Sequence, residues 1–255
     1  MGICKLCLKE KDLLLSHIIP RSFIKRVKGN SPQLVRMVVG ENEKPRFDNA
    51  NWRMPLLCAE CEALINIRYE KSQIEYLRDG KIKYRQPNRI TFGKFDFDRF
   101  YLFWLSILWR ASVAEMDEFK GVDLGEEVND MLRTLILSGD TRWRGLCVSS
   151  LLHIGIVKLL PSPSIDEATL AKVLTSIVVE LGKEGATFYF LVEGFLVAYH
   201  LTDNPDLELP KEFGRIKKTF NLRMPALRID ESPWATKMFN KMIAKSKENA
   251  GWRIQ

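Results

Sequence analysis

Four of the five cysteines fall into two Cys-x-x-Cys pairs, Cys4/Cys7 and Cys58/Cys61, and this spacing constrains the chain more than any other feature. One such knuckle turns tightly enough to aim two thiolates at one point, and two knuckles complete the tetrahedral shell that zinc prefers. The N-terminus lacks the charged-then-apolar pattern of a secretory leader, so the pairs read as a metal site rather than a disulfide framework. The 50 residues between the knuckles exceed ordinary zinc-finger spacing, so a long excursion of chain must be closed by the clamp. Cys147, in an apolar stretch, is expected to be a small buried core residue.

Apolar runs and turn residues divide the chain into two units, 1–92 and 93–255. In the first, Leu13–Pro20 reads as a strand and Ser22–Val27 as a helical turn. A Gly29-Asn30-Ser31-Pro32 turn follows, then a second strand over Leu34–Val39 and a loop over Gly40–Pro45. After the second knuckle, Leu64, Ile67, Ile74 and Leu77 recur at helical spacing and predict a helix over Glu62–Leu77. The order is strand, strand, knuckle, helix. Gly80–Phe92 reads as a linker or small hairpin.

Beyond it, Phe97–Met116 predicts an amphipathic helix with Trp104, Leu108 and Ala111 on one stripe, and Gly125–Ser138 a second helix. Strand-like runs follow at Leu146–Leu152, Ser176–Leu181, Phe188–Val192 and Phe195–Thr202, the last two joined by a tight turn at Glu193-Gly194. A basic amphipathic helix over Trp234–Asn249, carrying Lys237, Lys241, Lys245 and Lys247, closes the chain. The expected class is α+β: an N-terminal zinc-stapled unit followed by a mixed α+β domain with a mainly antiparallel sheet. No apolar run reaches the ~18 residues that would span a bilayer, and a cytoplasmic protein without membrane contact is expected.

The net charge of +7 is unevenly spread. Residues 1–95 hold 19 Lys and Arg against 10 Asp and Glu, hence +9; the remainder holds 20 against 22, hence −2. A basic excess confined to one unit fits a surface that binds phosphate. Arg21, Lys25, Arg26, Lys28, Arg36 and Arg46 are its candidate nucleic-acid contacts.

Between the knuckles lies Ser16-His17-Ile18-Ile19-Pro20-Arg21-Ser22-Phe23. This string, bracketed by two Cys-x-x-Cys pairs, resembles the HNH (ββα-metal, His-Me finger) endonucleases, and its wording is close to the HNH domain of RNA-guided CRISPR nucleases. The resemblance covers about residues 1–75. It implies a ββα-metal fold, structural zinc on Cys4, Cys7, Cys58 and Cys61, and a catalytic magnesium or manganese ion. It makes His17 the general base. Asn51, with Asn49 as runner-up, takes the place of the Asn that orients that base. Where relatives carry an Asp ligand before the base, this chain has Ser16; where they carry His or Asn after the last cysteine, it has Glu62. Glu70, two helical turns on, is a further candidate magnesium ligand. His153 and His200, in apolar strand-like runs, read as core or surface histidines.

The function expected is therefore hydrolysis of DNA phosphodiester bonds, DNA being favoured over RNA, with the second unit selecting a target or a protein partner. Bacterial anti-phage defence is the setting that the family suggests. The alternative is a catalytically inactive zinc module that binds nucleic acid or a protein partner.

Overall fold

A computed structural model describes residues 1–29, 34–36, 46–48, 52–78, 82–163, 165–182, 185–202, 209, 212–233 and 235–237. The fold is mixed α+β with a cysteine cluster near its N-terminus. No helix among the described residues is long and apolar enough to cross a membrane.

The chain opens with β1 (Gly2–Ile3), β2 (Glu10–Lys11) and β3 (Leu13–His17), followed by α1 (Arg21–Lys28). Then come β4 (Leu34–Arg36), β5 (Arg46–Asp48) and β6 (Arg53–Cys58), which runs directly into α2 (Ala59–Ile65). A π-helical turn, Asn66–Glu70, joins α2 to α3 (Lys71–Arg78), so one helical run covers the span expected from Leu64, Ile67, Ile74 and Leu77. β1 pairs with β2, β4 with β5 and β3 with β6, all antiparallel.

The strand that completes the β3 hairpin is thus β6 rather than the apolar run at 34–39. Of that run Leu34–Arg36 is a strand paired with β5, and 37–39 lie outside the described residues. The reason is visible at Pro55. Proline lacks a ladder donor and hides a strand from pattern reading, but it is tolerated where the register slips, and here it faces Leu15 across the bulge at Leu14/Leu15.

Residues 82–92 form the hairpin β7 (Ile82–Gln86) and β8 (Arg89–Phe92). After it come α4 (Phe97–Ser112), α5 (Gly125–Ser138), β9 (Arg142–Trp143), β10 (Leu146–Cys147) and β11 (Leu152–Leu160). The chain continues through α6 (Glu167–Ala171), β12 (Val178–Gly182), β13 (Gly185–Val192), β14 (Phe195–Leu201), β15 (Gly214–Arg215) and β16 (Leu222–Arg228). The large sheet runs β12-β13-β14-β11-β16-β8-β7, with β15 also on β11, and β11–β16 is its parallel pair. The last two strands at one end of it, β8 and β7, therefore come from residues before 93, so a boundary after residue 92 cuts through hydrogen-bonded sheet. Glu193 and Gly194 make the β13–β14 turn with φ of 50° and 74°, the left-handed pair that a two-residue hairpin requires.

α4 is buried on every side rather than along one stripe, from Phe100 to Ala111 without interruption. Neighbours on opposite flanks explain this. Phe23 of α1 stacks on Trp104 at 6.3 Å, and Phe190 of β13 meets the same indole edge-on at 6.4 Å. The Tyr199 hydroxyl on β14 donates to Trp104 O at 3.2 Å. A helix apolar all round belongs in the middle of a core, and here it joins the cysteine-bearing unit to the sheet.

Of the closing helix expected over 234–249, residues 235–237 are helical and the rest lies outside the described residues. Lys237 faces Glu180 at 3.8 Å.

Candidate metal centre

The first knuckle is the turn between β1 and β2. Cys4 N donates to Lys9 O at 3.0 Å and Leu8 N to Cys4 O at 2.9 Å. Closing so tight a loop puts Leu8 in the left-handed region, φ 59°, which non-glycine residues seldom adopt. Lys5 N then donates to Leu56 O at 3.1 Å, tying this turn to β6. The second knuckle spans a strand end and a helix start: Cys58 closes β6 and precedes α2, and Cys61 sits in the first helical turn.

All four sulfurs lie within 4.8 Å of one another, and Cys7 and Cys58 Sγ are 3.9 Å apart. Four thiolates about 2.3 Å from a tetrahedral zinc ion stand about 3.8 Å from each other. A disulfide, at about 2.05 Å, would need far closer approach, and all four thiols are free. Burial raises the Cys4 thiol, but backbone hydrogen bonds at Cys7, Cys58 and Leu6 outweigh it and bring it down to about 7. Burial pushes Cys61 and Cys58 up, and for Cys61 the thiols of Cys58 and Cys4 add to the effect. Crowded, buried thiols resist ionising together unless a soft cation shares their charge, which is the condition that zinc satisfies. Among the described residues these cysteines are the one group of three or more His, Cys, Asp or Glu with ligand atoms gathered closely enough for an ion.

His17 ends β3 opposite Arg53 of β6, and pairing continues one step further as Ile18 N donates to Trp52 O at 2.9 Å. Ile18, Ile19 and Phe23 are fully buried, so the apolar letters of the His-Ile-Ile-Pro string anchor the segment while His17 stays half-exposed. Ser16 points inward and is fully buried. Its Oγ accepts from Leu57 N at 3.2 Å and donates to Leu14 O at 3.4 Å, a strand-joining role beside the bulge.

Glu62, half-buried on α2, has one carboxylate oxygen, Oε2, that is buried without a hydrogen-bond partner among the described residues. Glu70 is engaged differently from the metal ligand expected of it. Its Oε1 lies 2.7 Å from Nη2 of the buried Arg110. The same guanidinium donates through Nε to Ser106 O at 3.1 Å and through Nη1 to His17 O at 2.9 Å. Asn51 and Asn49 lie outside the described residues.

Of the candidate phosphate contacts, Arg21 and Lys25 are exposed one turn apart on α1, immediately after the His17 segment. Lys28 is half-buried, and Arg26 reaches Glu193 Oε2 at 3.7 Å. Arg36 and Arg46 face each other across β4–β5, and their side chains lie outside the described residues. Cys147, expected in the core, is exposed, with its sulfur 3.0 Å from Ser149 Oγ. The two-residue strand it belongs to pairs with β9 in a small ribbon outside the main sheet. Sequence reasoning missed Arg110. Its signal was a charge inside an otherwise apolar helix, which must find a partner when that helix is buried.

Comparison of the chain with protein-family models, with curated proteins and with solved structures finds no match.

Proposed function

We propose that the chain is an HNH-like metal-dependent endonuclease that hydrolyses DNA phosphodiester bonds, with structural zinc on its four clustered cysteines and His17 as general base. The observation that carries this reading is the position of His17. It ends a strand whose ladder to β6 starts beside the cysteine cluster at Leu13 and Cys58, on a string whose apolar letters are buried and whose imidazole-bearing residue is only partly so. Water attacking a phosphodiester must lose a proton, and a half-exposed imidazole held on a rigid strand is suited to take it. A bound magnesium or manganese ion would supply charge stabilisation at the phosphorane and the leaving oxygen. Glu62, whose Oε2 has no hydrogen-bond partner among the described residues, is the carboxylate best suited to hold such an ion. Arg21 and Lys25, exposed on the helix that follows His17, would serve as phosphate contacts.

A second reading, a zinc module that binds nucleic acid or a protein partner without cutting, draws on Ser16 and Glu70. Both side chains are committed to contacts within the protein, which leaves few hard ligands for a catalytic cation. Plasmid nicking decides between the two. The endonuclease reading expects magnesium- or manganese-dependent nicking that disappears in His17→Ala while DNA binding persists. Full DNA binding with no nicking by the unaltered protein decides for the second reading.

A further inference from the structure

The residues beyond 95 carry a net charge of −2, yet the fold gathers several of their cations around one opening. A cleft of about 700 Å³ lies between the start of α4, the segment after α5 and the connection from β15 to β16. Four cations line it, Arg142, Arg215, Lys217 and Lys218, against two carboxylates, Asp98 and Asp140, which leaves a formal +2. Both carboxylates are already engaged. Asp140 accepts from Arg142 Nε and Nη2 at 3.2 and 3.0 Å, and Asp98 accepts the Thr141 hydroxyl at 2.7 Å and faces Lys218 at 3.7 Å. Arg215 is fixed by donating through Nη2 to Ser149 O at 2.9 Å, and Lys217 projects into solvent. Two residues past Lys218 stands Phe220, 78% exposed although a large aromatic side chain is costly to leave in water.

We infer that this cleft, together with the exposed Phe220 two residues beyond its Lys218 in the chain, binds a single-stranded nucleic acid, the cations holding successive phosphates and the phenyl ring stacking on an unpaired base. A basic groove next to an exposed aromatic ring is how such strands are held without sequence readout. A duplex keeps its bases stacked inside and has no face to offer the ring. The volume falls within the range of ligand-sized clefts. The choice of nucleic acid among phosphate-bearing ligands rests on the function proposed above, but the site itself does not need His17 or cleavage.

The test uses the full-length His17→Ala protein without magnesium, so that binding is read apart from cutting. A fluorescein-labelled oligothymidine is titrated by anisotropy at several salt concentrations. Lys217→Glu with Lys218→Glu is expected to weaken binding at least about tenfold. Each phosphate no longer neutralised takes about 0.7 from the salt slope, so the pair should lower it by about 1.4. Phe220→Ala is expected to weaken single-strand binding about tenfold and to leave duplex binding unchanged. Bound oligothymidine should also slow alkylation of Cys147, which lines the cleft, an effect absent in the charge-reversed variant. The inference is overturned if charge reversal leaves both affinity and salt slope unchanged, or if Phe220→Ala weakens duplex binding as much as single-strand binding. A protein that never nicks a plasmid but shows these reductions in binding would refute the endonuclease reading alone.

Discussion

Arg110 Nη1 donates a 2.9 Å hydrogen bond to the carbonyl oxygen of His17, across 93 residues of sequence. The guanidinium is 1% exposed and its Nη2 lies 2.7 Å from Glu70 Oε1, so one buried fork joins α4, the π-helical turn and the end of β3. A charge so placed is stable only while its partners are in place.

Arg110→Met therefore removes a cation and strands Glu70 in a mostly buried setting. The expected cost is about 3–5 kcal/mol, read by urea denaturation. Arg110→Met combined with Glu70→Leu should recover part of that loss, since replacing both charges leaves none unpaired. A double variant less stable than Arg110→Met alone would show that the carboxylate has another stabilising partner.

The cysteine cluster predicts about one zinc ion per chain by elemental analysis. Cys58→Ser or Cys61→Ser should abolish retention, whereas Cys147→Ser, outside the cluster, should keep both zinc and Tm. Thiolates bind the metal and thiols do not, so protons compete with it. Retention against a chelator should fall as pH falls and improve as pH rises. Equal retention across that range would contradict a thiolate-held ion.

How far this was legible in the sequence depends on the range of the interaction. Cys4, Cys7, Cys58 and Cys61 could be grouped because each pair is local and the donor chemistry is specific. α5 and the β13–β14 hairpin were legible because their signals, helical periodicity and the Glu193-Gly194 turn, lie within a few residues. The partner of β3 was not, because Pro55 interrupts the strand pattern of 53–58. Nor was the union of β8 with β16, whose partners Phe92 and Leu222 lie far apart in the chain with no local sign of each other. Glu70 had several neighbouring cations in sequence, and only the packing of α4 chose Arg110.

Arg21 and Lys25 share an exposed face next to the His17 segment, and both are expected to contact DNA phosphates. Reversing both charges should weaken duplex binding for every sequence alike. With about 0.9 of salt slope for each phosphate released, the slope should become shallower by about 1.8. Anisotropy with two unrelated duplexes checks this; a loss confined to one of them would point instead to base readout.

The last prediction concerns cooperativity. One hydrophobic cluster runs without a break from Cys4 through α4 to Ala226. The Glu193 carboxylate, 6% exposed at the β13–β14 turn, accepts from Arg78 Nη2 at 2.5 Å and from Arg78 Nε at 3.2 Å, while Arg78 also donates to Ser22 O at 3.0 Å. The cysteine-bearing unit and the sheet thus share apolar packing, a charge pair and strands β7 and β8. Stripping zinc should lower a single unfolding transition of the whole chain rather than melt residues 1–92 first. Glu193→Ala should cost about 1–3 kcal/mol by leaving the half-buried Arg78 with Ser22 O but without its carboxylate. A fragment ending at residue 92 should fail to fold, because Phe23 would be without Phe103 and Trp104 and β8 without β16. Two separate calorimetric transitions, or a folded 1–92 fragment, would show instead that the two units are stable apart.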